Sequence, residues 1–392
     1  MKRIVICCDG TWNSLIGAAV PAGQTNVARL YLSVCPRDDA GIVQEARYVE
    51  GVGTGRLQRI RGGAFGFGLS ERVKRAYAEI VDLYEPGDEL WLFGFSRGAF
   101  TARSAAGLLR TVGILRPEHA GRLDEAYDIY REPSEDGADS ARARVFREAY
   151  SIRPQGIRFV GVFDTVGALG VPVSRWNPLR LLNRRWEFHD TTLSSTVADA
   201  RHALAIDERR GPFRPTLWDD SPRSGGGQRV EQAWFAGVHS DVGGGYERDG
   251  LSQLTLRWMA AEASAQGLAL APQLIPGSGR PGPPFPEWMV GRAREKGLGG
   301  GEPLDVLSGL VRPADPGQEP NESLKGGYRL LFRHRRRLPY PRRAGGAYPF
   351  QWVASSARHL TRERPGYRRA SRGLMAYLKA DGEVREVPGG EG

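Results

Sequence analysis

LWLFGFSRGAFTAR, residues 90–103, decides how this chain is read. An apolar run from Leu90 to Phe95 stops at Ser96, which stands between Gly94 and Gly98 and precedes a segment of small residues. A strand that enters a sharp turn and leaves as a helix brings its own backbone close together. Side chains two residues before and two after the serine would collide there, so both positions are glycine. The turn lifts the serine Oγ out of the sheet at the strand's C-terminal end. The first turn of the helix then offers N–H groups and a positive dipole end to a developing oxyanion. A Gly/Ser turn without chemistry would need neither the strand before it nor the small-residue helix after it.

The neighbouring segments supply the rest of such a sheet. Ile4–Cys8 reads as a buried strand and Ala46–Glu50 as a weaker one; Ile157–Phe163 and Val230–Val238 are further strand candidates. Between them Val73, Ala76, Tyr77, Ile80, Val81 and Tyr84 recur at helical spacing, with Ser70 as cap and Pro86-Gly87 as stop. Leu251, Leu254, Trp258, Ala261 and Ala265 mark another helix, ended by Gly267. Short apolar runs alternating with helical patterns predict an α/β fold of α/β-hydrolase type, a mostly parallel sheet with helices on both faces.

A serine hydroxyl is a weak nucleophile and needs a base. His239 fits, because it follows the apolar run AWFAGV and precedes the loop SDVGGGY, whose Gly243-Gly244-Gly245 lets the chain bend close to the serine. The rival His202 sits in ARHALAIDERR, which reads as helix and makes it a surface or packing residue. The base needs a carboxylate to orient it. Asp164 ends the run IRFVGVF at a strand end and is favoured; Asp241, two residues after His239, is the rival and could instead hold the loop. The order Ser96, Asp164, His239 is the chain order expected of α/β-hydrolases. The first strand ends in Asp9-Gly10-Thr11, where the second oxyanion donor is usually found. Backbone N–H of Gly10 or Thr11, with that of Arg97, takes this role, and Asp9 fixes the turn. A strand followed by D-x-D-G-T would mark an aspartate-nucleophile phosphatase, but Cys7 stands at the first aspartate position.

Composition bounds the alternatives. The 392 residues can bury a sizeable core, and 40% apolar and 26% charged residues are ordinary for a globular chain. The net charge of +10 favours acidic partners such as anionic lipid or nucleic acid, but only 5 of the 55 basic residues are lysine. That is an arginine bias a GC-rich genome produces. No basic stripe interleaved with aromatics appears, so no specific nucleic-acid partner is expected, and transient contact with an anionic membrane stays open. The three cysteines, Cys7, Cys8 and Cys35, have no metal-ligand spacing and are expected as reduced thiols. Gly51-Val52-Gly53-Thr54-Gly55 is not a dinucleotide fingerprint, since position 56 is Arg, and neither a nucleotide cofactor nor a metal is expected. The start, MKRIVICCDG, is too short in its apolar run for a signal peptide or a membrane span. The expectation is a cytoplasmic protein, with export by a route without a cleaved signal left open. Residues 1–271 read as the catalytic domain, with lid segments at 116–156 and at 170–200, which carries Trp176, Leu179, Leu181 and Leu182. Residues 272–392 read as a Gly/Pro-rich extension with a basic stretch at 333–343.

Six separated motifs, DGTWN, GVGTG, ERVKRAYAEIVDLYEPGDELWLFGFSRGAFTAR, VGVFDTVGALG, ALAIDERR and AWFAGVHSDVGGGY, run in order from about residue 3 to 260. Together they resemble the α/β-hydrolase family that includes the catalytic domain of type VI secretion phospholipase effectors. The resemblance implies a Ser-Asp-His triad at Ser96, Asp164 and His239 and esterase chemistry on acyl lipids. A serine hydrolase cleaving carboxylic esters through an acyl-enzyme is the expectation. A thioesterase or acyltransferase on the same triad, or a non-catalytic protein binding anionic membrane or nucleic acid through its basic tail, are the alternatives.

Overall fold

The computed structural model of this chain describes residues 1–10, 23–51, 65–132, 137–167, 193–218, 227–277, 279, 282–296, 303–324, 336, 338 and 351–389. Ten strands occur among them: β1 (Arg3–Cys8), β2 (Gln44–Val49), β3 (Glu89–Phe95), β4 (Ile114–Leu115), β5 (Ser151–Ile152), β6 (Ile157–Phe163), β7 (Val197–Ala205), β8 (Arg229–Phe235), β9 (Gln351–Ala354) and β10 (Val384–Arg385). β4 and β5 pair antiparallel with each other. The other eight form one parallel sheet in the order β10-β9-β8-β7-β6-β3-β1-β2.

The central strands are apolar runs because both of their faces are covered. Val5, Trp91, Phe93, Phe159, Phe163 and Phe235 face one side. There they meet Leu30 of helix α1 (Asn26–Ser33) and Trp258 and Met259 of a later helix, Gly250–Ala265. Ile4, Ile6, Leu90, Leu92 and Val160 face the other side, against α2 (Phe65–Leu83) and α3 (Arg97–Val112). The two-residue alternation sends Cys7 and Cys8 to opposite faces, each buried. Ala99, Ala102, Ala105 and Ala106 line the sheet-facing side of α3, so this helix lies close to β1 and β3.

Gly94 and Gly98 are required by that closeness. A Cβ on Gly94 would stand 2.5 Å from Gly98 O and Ala99 Cα, within the turn itself. A Cβ on Gly98 would stand 2.1 Å from the carbonyl oxygen of Cys8 and 2.5 Å from that of Asp9, so the second glycine answers to β1 and not to the turn. Backbone cannot yield as a flexible side chain can. Gly98→Ala is expected to destabilise the chain by about 3 kcal/mol, the upper end of overpacking penalties, and a urea melt measures it.

Three sequence expectations change here. ARHALAIDERR does not form a helix: its first half is β7, between β6 and β8. Val197 is the one β-branched residue of that strand, so local propensity points elsewhere, yet Ala200, His202, Ala203, Leu204 and Ala205 are all buried. Burial in the sheet centre overrides propensity. Ser70 does not cap α2, which starts at Phe65; its Oγ accepts from Tyr127 Oη at 3.0 Å. Residues 116–156 contain β5 together with α4 (Leu123–Arg131) and α5 (Ala141–Tyr150), and they brace the C-terminal half of α3. Arg147 donates to Thr111 O at 2.6 Å and Arg110 pairs with Asp139 at 2.5 Å. At 1.5 Å per residue, Thr111 lies about 20 Å along the helix from Ser96, so these two contacts lie far from the serine. Of the second expected lid, residues 170–192 lie outside the described residues, and from Val197 the chain is β7.

The expected boundary at 271 does not divide the sheet. β9 adds to β8 and β10 to β9, and Leu307, Leu310, Trp352 and Val387 join the same core cluster as Trp91. Residues 351–385 complete the sheet edge with three helices, Ser355–Glu363, Pro365–Ala370 and Arg372–Lys379. No helix among the described residues is long and apolar enough to cross a membrane.

Candidate active site

Ser96 occupies the tight turn between β3 and α3 with φ 57° and ψ −119°, a backbone conformation that L residues rarely adopt. Its own hydrogen bonds hold it there. Ser96 N donates to Phe163 O at 3.0 Å, and Ser96 O accepts from Phe100 N and Val166 N at 3.3 Å. The serine turn is thus fastened to the end of β6, next to Asp164. The Ser96 side chain does not cap α3, so Oγ is not spent on the helix N-terminus.

Asp164 is buried, with φ 40°. Its N–H donates to Ala203 O at 2.7 Å, and its Oδ1 accepts from Ala205 N at 3.0 Å, which aims the carboxylate across β7 toward β8. His239 opens a short helix, α6 (His239–Gly243), directly after β8. Its Nδ1 donates to Asp164 Oδ2 at 2.6 Å, leaving Nε2 as the ring's acceptor. The imidazole lies between the Phe95 ring at 4.7 Å and the Phe213 ring at 4.9 Å. Gly243 makes room for this arrangement, since a Cβ there would fall 1.9 Å from Phe95 Cε2. Burial lowers the His239 pKa below its ordinary value, and the Asp164 and Glu208 carboxylates offset only part of that. Burial alone would raise Asp164, but the Arg336 cation and the hydrogen bond from His239 outweigh it and hold the carboxyl well below the usual range.

The rival residues have other work. His202 Nε2 accepts from Thr165 N at 3.1 Å and its Nδ1 donates to Gln232 Oε1 at 3.3 Å. Burial first, then the neighbouring Arg103 cation, pushes its pKa down to about 3, so it stays neutral and positions the loop after Asp164. Asp241 Oδ2 accepts from Val238 N and Asn321 N, both at 2.9 Å, and caps α6 from within. Asp9 accepts from Gly10 N at 2.6 Å and from the hydroxyls of Thr25 and Tyr48 at 2.5 Å. The Gly10 amide therefore already serves the Asp9 carboxylate. Thr11 and residues 52–55 of the glycine-rich loop lie outside the described residues. Arg97 is the first residue of α3.

Three contributors did not stand out in the sequence. Glu208 Oε2 accepts from His239 N at 3.3 Å and pairs with Arg210 at 2.8 Å. Asp207 accepts from Gly237 N and Tyr367 Oη, both at 2.8 Å, tying the helix Pro365–Ala370 to the end of β8; burial pushes its carboxyl up to about 6. Arg336, from the basic stretch at 333–343, is buried and pairs with Asp164. ALAIDERR offered a signal for the first two, as a pair of carboxylates after a strand. Nothing local to Arg336 marks it among the six arginines of that stretch.

Residues 2–262 match the family described as T6SS phospholipase effector Tle1-like, catalytic domain. The uncharacterized protein YEL023C of Saccharomyces cerevisiae is 30% identical over 243 residues, which are 56% of this chain and 33% of that protein. The chain thus spans about a third of the length of that curated relative. The solved Tle1 effector bound to the VgrG spike of the type 6 secretion system aligns at 22% identity, with a TM-score of 0.34 over 63% of this chain and 51% of that one. An uncharacterized protein from Pseudomonas aeruginosa aligns at 21% identity, with a TM-score of 0.39 over 78% and 52%.

Proposed function

From a chain that belongs to the Tle1-like family of type VI secretion phospholipase effector catalytic domains, we propose a serine hydrolase that cleaves acyl esters of lipids. One observation carries the reading: a 2.6 Å Asp164–His239 pair buried beside a strained serine at a strand–helix turn. In this reading His239 Nε2 takes the Ser96 proton as Oγ attacks the ester carbonyl. Asp164 holds the imidazole with Nδ1–H inward and stabilises the charge it gains. The backbone N–H of Arg97, at the α3 N-terminus, meets the developing oxyanion, and Thr11 N–H is the proposed second donor in place of Gly10. His239 then returns the proton to the leaving alcohol. Water activated by the same imidazole releases the acyl group from Ser96.

The base works only when neutral. Since burial holds the His239 pKa below its ordinary 6.5, kcat/KM is expected to be flat at neutral pH and to fall with acid, with a midpoint under 6.5. A kcat/KM profile between pH 4.5 and 8 on a p-nitrophenyl ester checks this, and a midpoint above 6.5 contradicts it.

Labelling by a fluorophosphonate, combined with turnover of p-nitrophenyl esters, acyl thioesters and phosphatidylcholine or phosphatidylglycerol vesicles, tests the function. Fatty-acid release from the vesicles supports the lipid assignment. Preference for thioesters moves the substrate class, and absence of labelling with every substrate intact overturns the hydrolase.

A further inference from the structure

We propose that Arg336 is a positioning residue for the Asp164–His239 pair, so that chain beyond the family-matched residues 2–262 completes the active site. Its catalytic consequence rests on the hydrolase reading above. Arg336 Nη1 donates to Asp164 Oδ1 and, at 2.8 Å, to Ala205 O. Its Nη2 donates to Asp164 Oδ2 at 2.8 Å and to Phe213 O at 2.6 Å. The two side chains are 1% and 0% exposed. A planar guanidinium fork facing a carboxylate fixes its plane as well as its distance. Asp164 Oδ2 is shared by Arg336 and His239 Nδ1, so any rotation of the carboxylate away from the imidazole must break the arginine bonds as well. The other two bonds reach Ala205, at the end of β7, and Phe213, whose ring covers His239. One guanidinium thus joins the carboxylate, the strand end and the wall of the histidine pocket.

The arginine also competes with the imidazolium for the same negative charge. Around the His239–Asp164 pair stand Glu208 and Arg210 from the segment after β7, neutral His202 on β7, Asp241 on α6 itself, and Arg336. Removing the Arg336 cation leaves Asp164 and Glu208 to act on the imidazole, which becomes the stronger base. A purely structural arginine would change stability and leave the histidine titration where it was.

The experiment compares the full chain with Arg336→Met, Arg336→Gln and Arg336→Lys. Two quantities are followed: kcat and KM against pH on p-nitrophenyl butyrate, and the His239 titration by ¹⁵N-edited NMR, which requires no turnover. Arg336→Met is expected to lower kcat about 10²-fold, the loss a misplaced catalytic group produces, with KM little changed. The acid limb and the His239 midpoint are expected to move together to higher pH by about one unit. Arg336→Lys keeps the charge without the fork, so its midpoint stays near the wild-type value while kcat recovers only in part. If Arg336→Met does not fold, Arg336→Gln, which retains a polar head for Ala205 O or Phe213 O, carries the comparison. A folded neutral variant with both midpoint and limb unmoved overturns the proposal. A wild type without turnover whose His239 midpoint still follows Arg336 overturns the hydrolase reading and upholds the arginine's hold on the pair.

Discussion

Ser96→Ala is expected to reduce ester hydrolysis on the order of 10⁴–10⁶-fold in kcat and to lose fluorophosphonate labelling, while the chain stays folded. Removing the nucleophile of a triad costs about as much as removing the whole triad, because the remaining members have nothing to activate. Stability separates this from general damage. The Ser96 side chain makes no cap for α3, and alanine inherits the same φ of 57°, so urea midpoints of the wild type and Ser96→Ala should nearly coincide. Ser96→Gly should be equally inactive yet more stable, by about 1 kcal/mol or more, since glycine adopts this conformation without the strain a Cβ imposes. An inactive variant that gains stability means that the turn is held in place for its chemistry. A wild type that does not label, or Ser96→Ala labelling as well as the wild type, removes Ser96 from the mechanism.

Asp164→Asn is expected to act on both activity and stability. The amide cannot stabilise an imidazolium and favours the wrong tautomer of His239, so kcat should fall roughly 10⁴-fold. The same change leaves the Arg336 guanidinium buried against a neutral partner. Breaking a buried pair from one side costs about 3–5 kcal/mol, because the remaining charge has lost its compensation. Denaturant melts should therefore show Asp164→Asn as far less stable than Ser96→Ala. Asp164→Asn combined with Arg336→Met should recover much of that stability and none of the activity. A double variant as unstable as the sum of the two single ones would mean that the pair does not couple, and the role of Arg336 would have to be sought elsewhere.

Apolar runs bounded by turn residues located β1, β3, β6 and β8 to within a few residues, because strands covered on both faces have little choice but to be hydrophobic; β2, at the sheet edge, carried only the weaker pattern Ala46–Glu50. β7 escaped that signal. Four of its nine residues are alanine, with Asp199, Arg201 and His202 among them, and its place between β6 and β8 makes them a strand. The edge formed by β9 and β10 escaped as well, since four- and two-residue strands carry too short a pattern to be read.

The sequence by itself determined the serine turn. Gly94, Ser96 and Gly98 are local, and their spacing states a steric condition that only a strand–turn–helix satisfies. It also singled out Asp164 and His239, as a carboxylate and an imidazole each placed just after an apolar strand. Tertiary structure decided what surrounds them. That the Gly98 position is closed by the Cys8 carbonyl, that Gly10 N–H is already taken by Asp9, and that Asp241 holds Asn321 are facts of packing between distant segments. Arg336 is the clearest case. Its partner lies 172 residues earlier, and among neighbouring arginines of identical chemistry nothing but the folded path of the chain selects the one that reaches Asp164. Local sterics are written into neighbouring residues, whereas a long-range ion pair is specified only when the fold brings its two halves together.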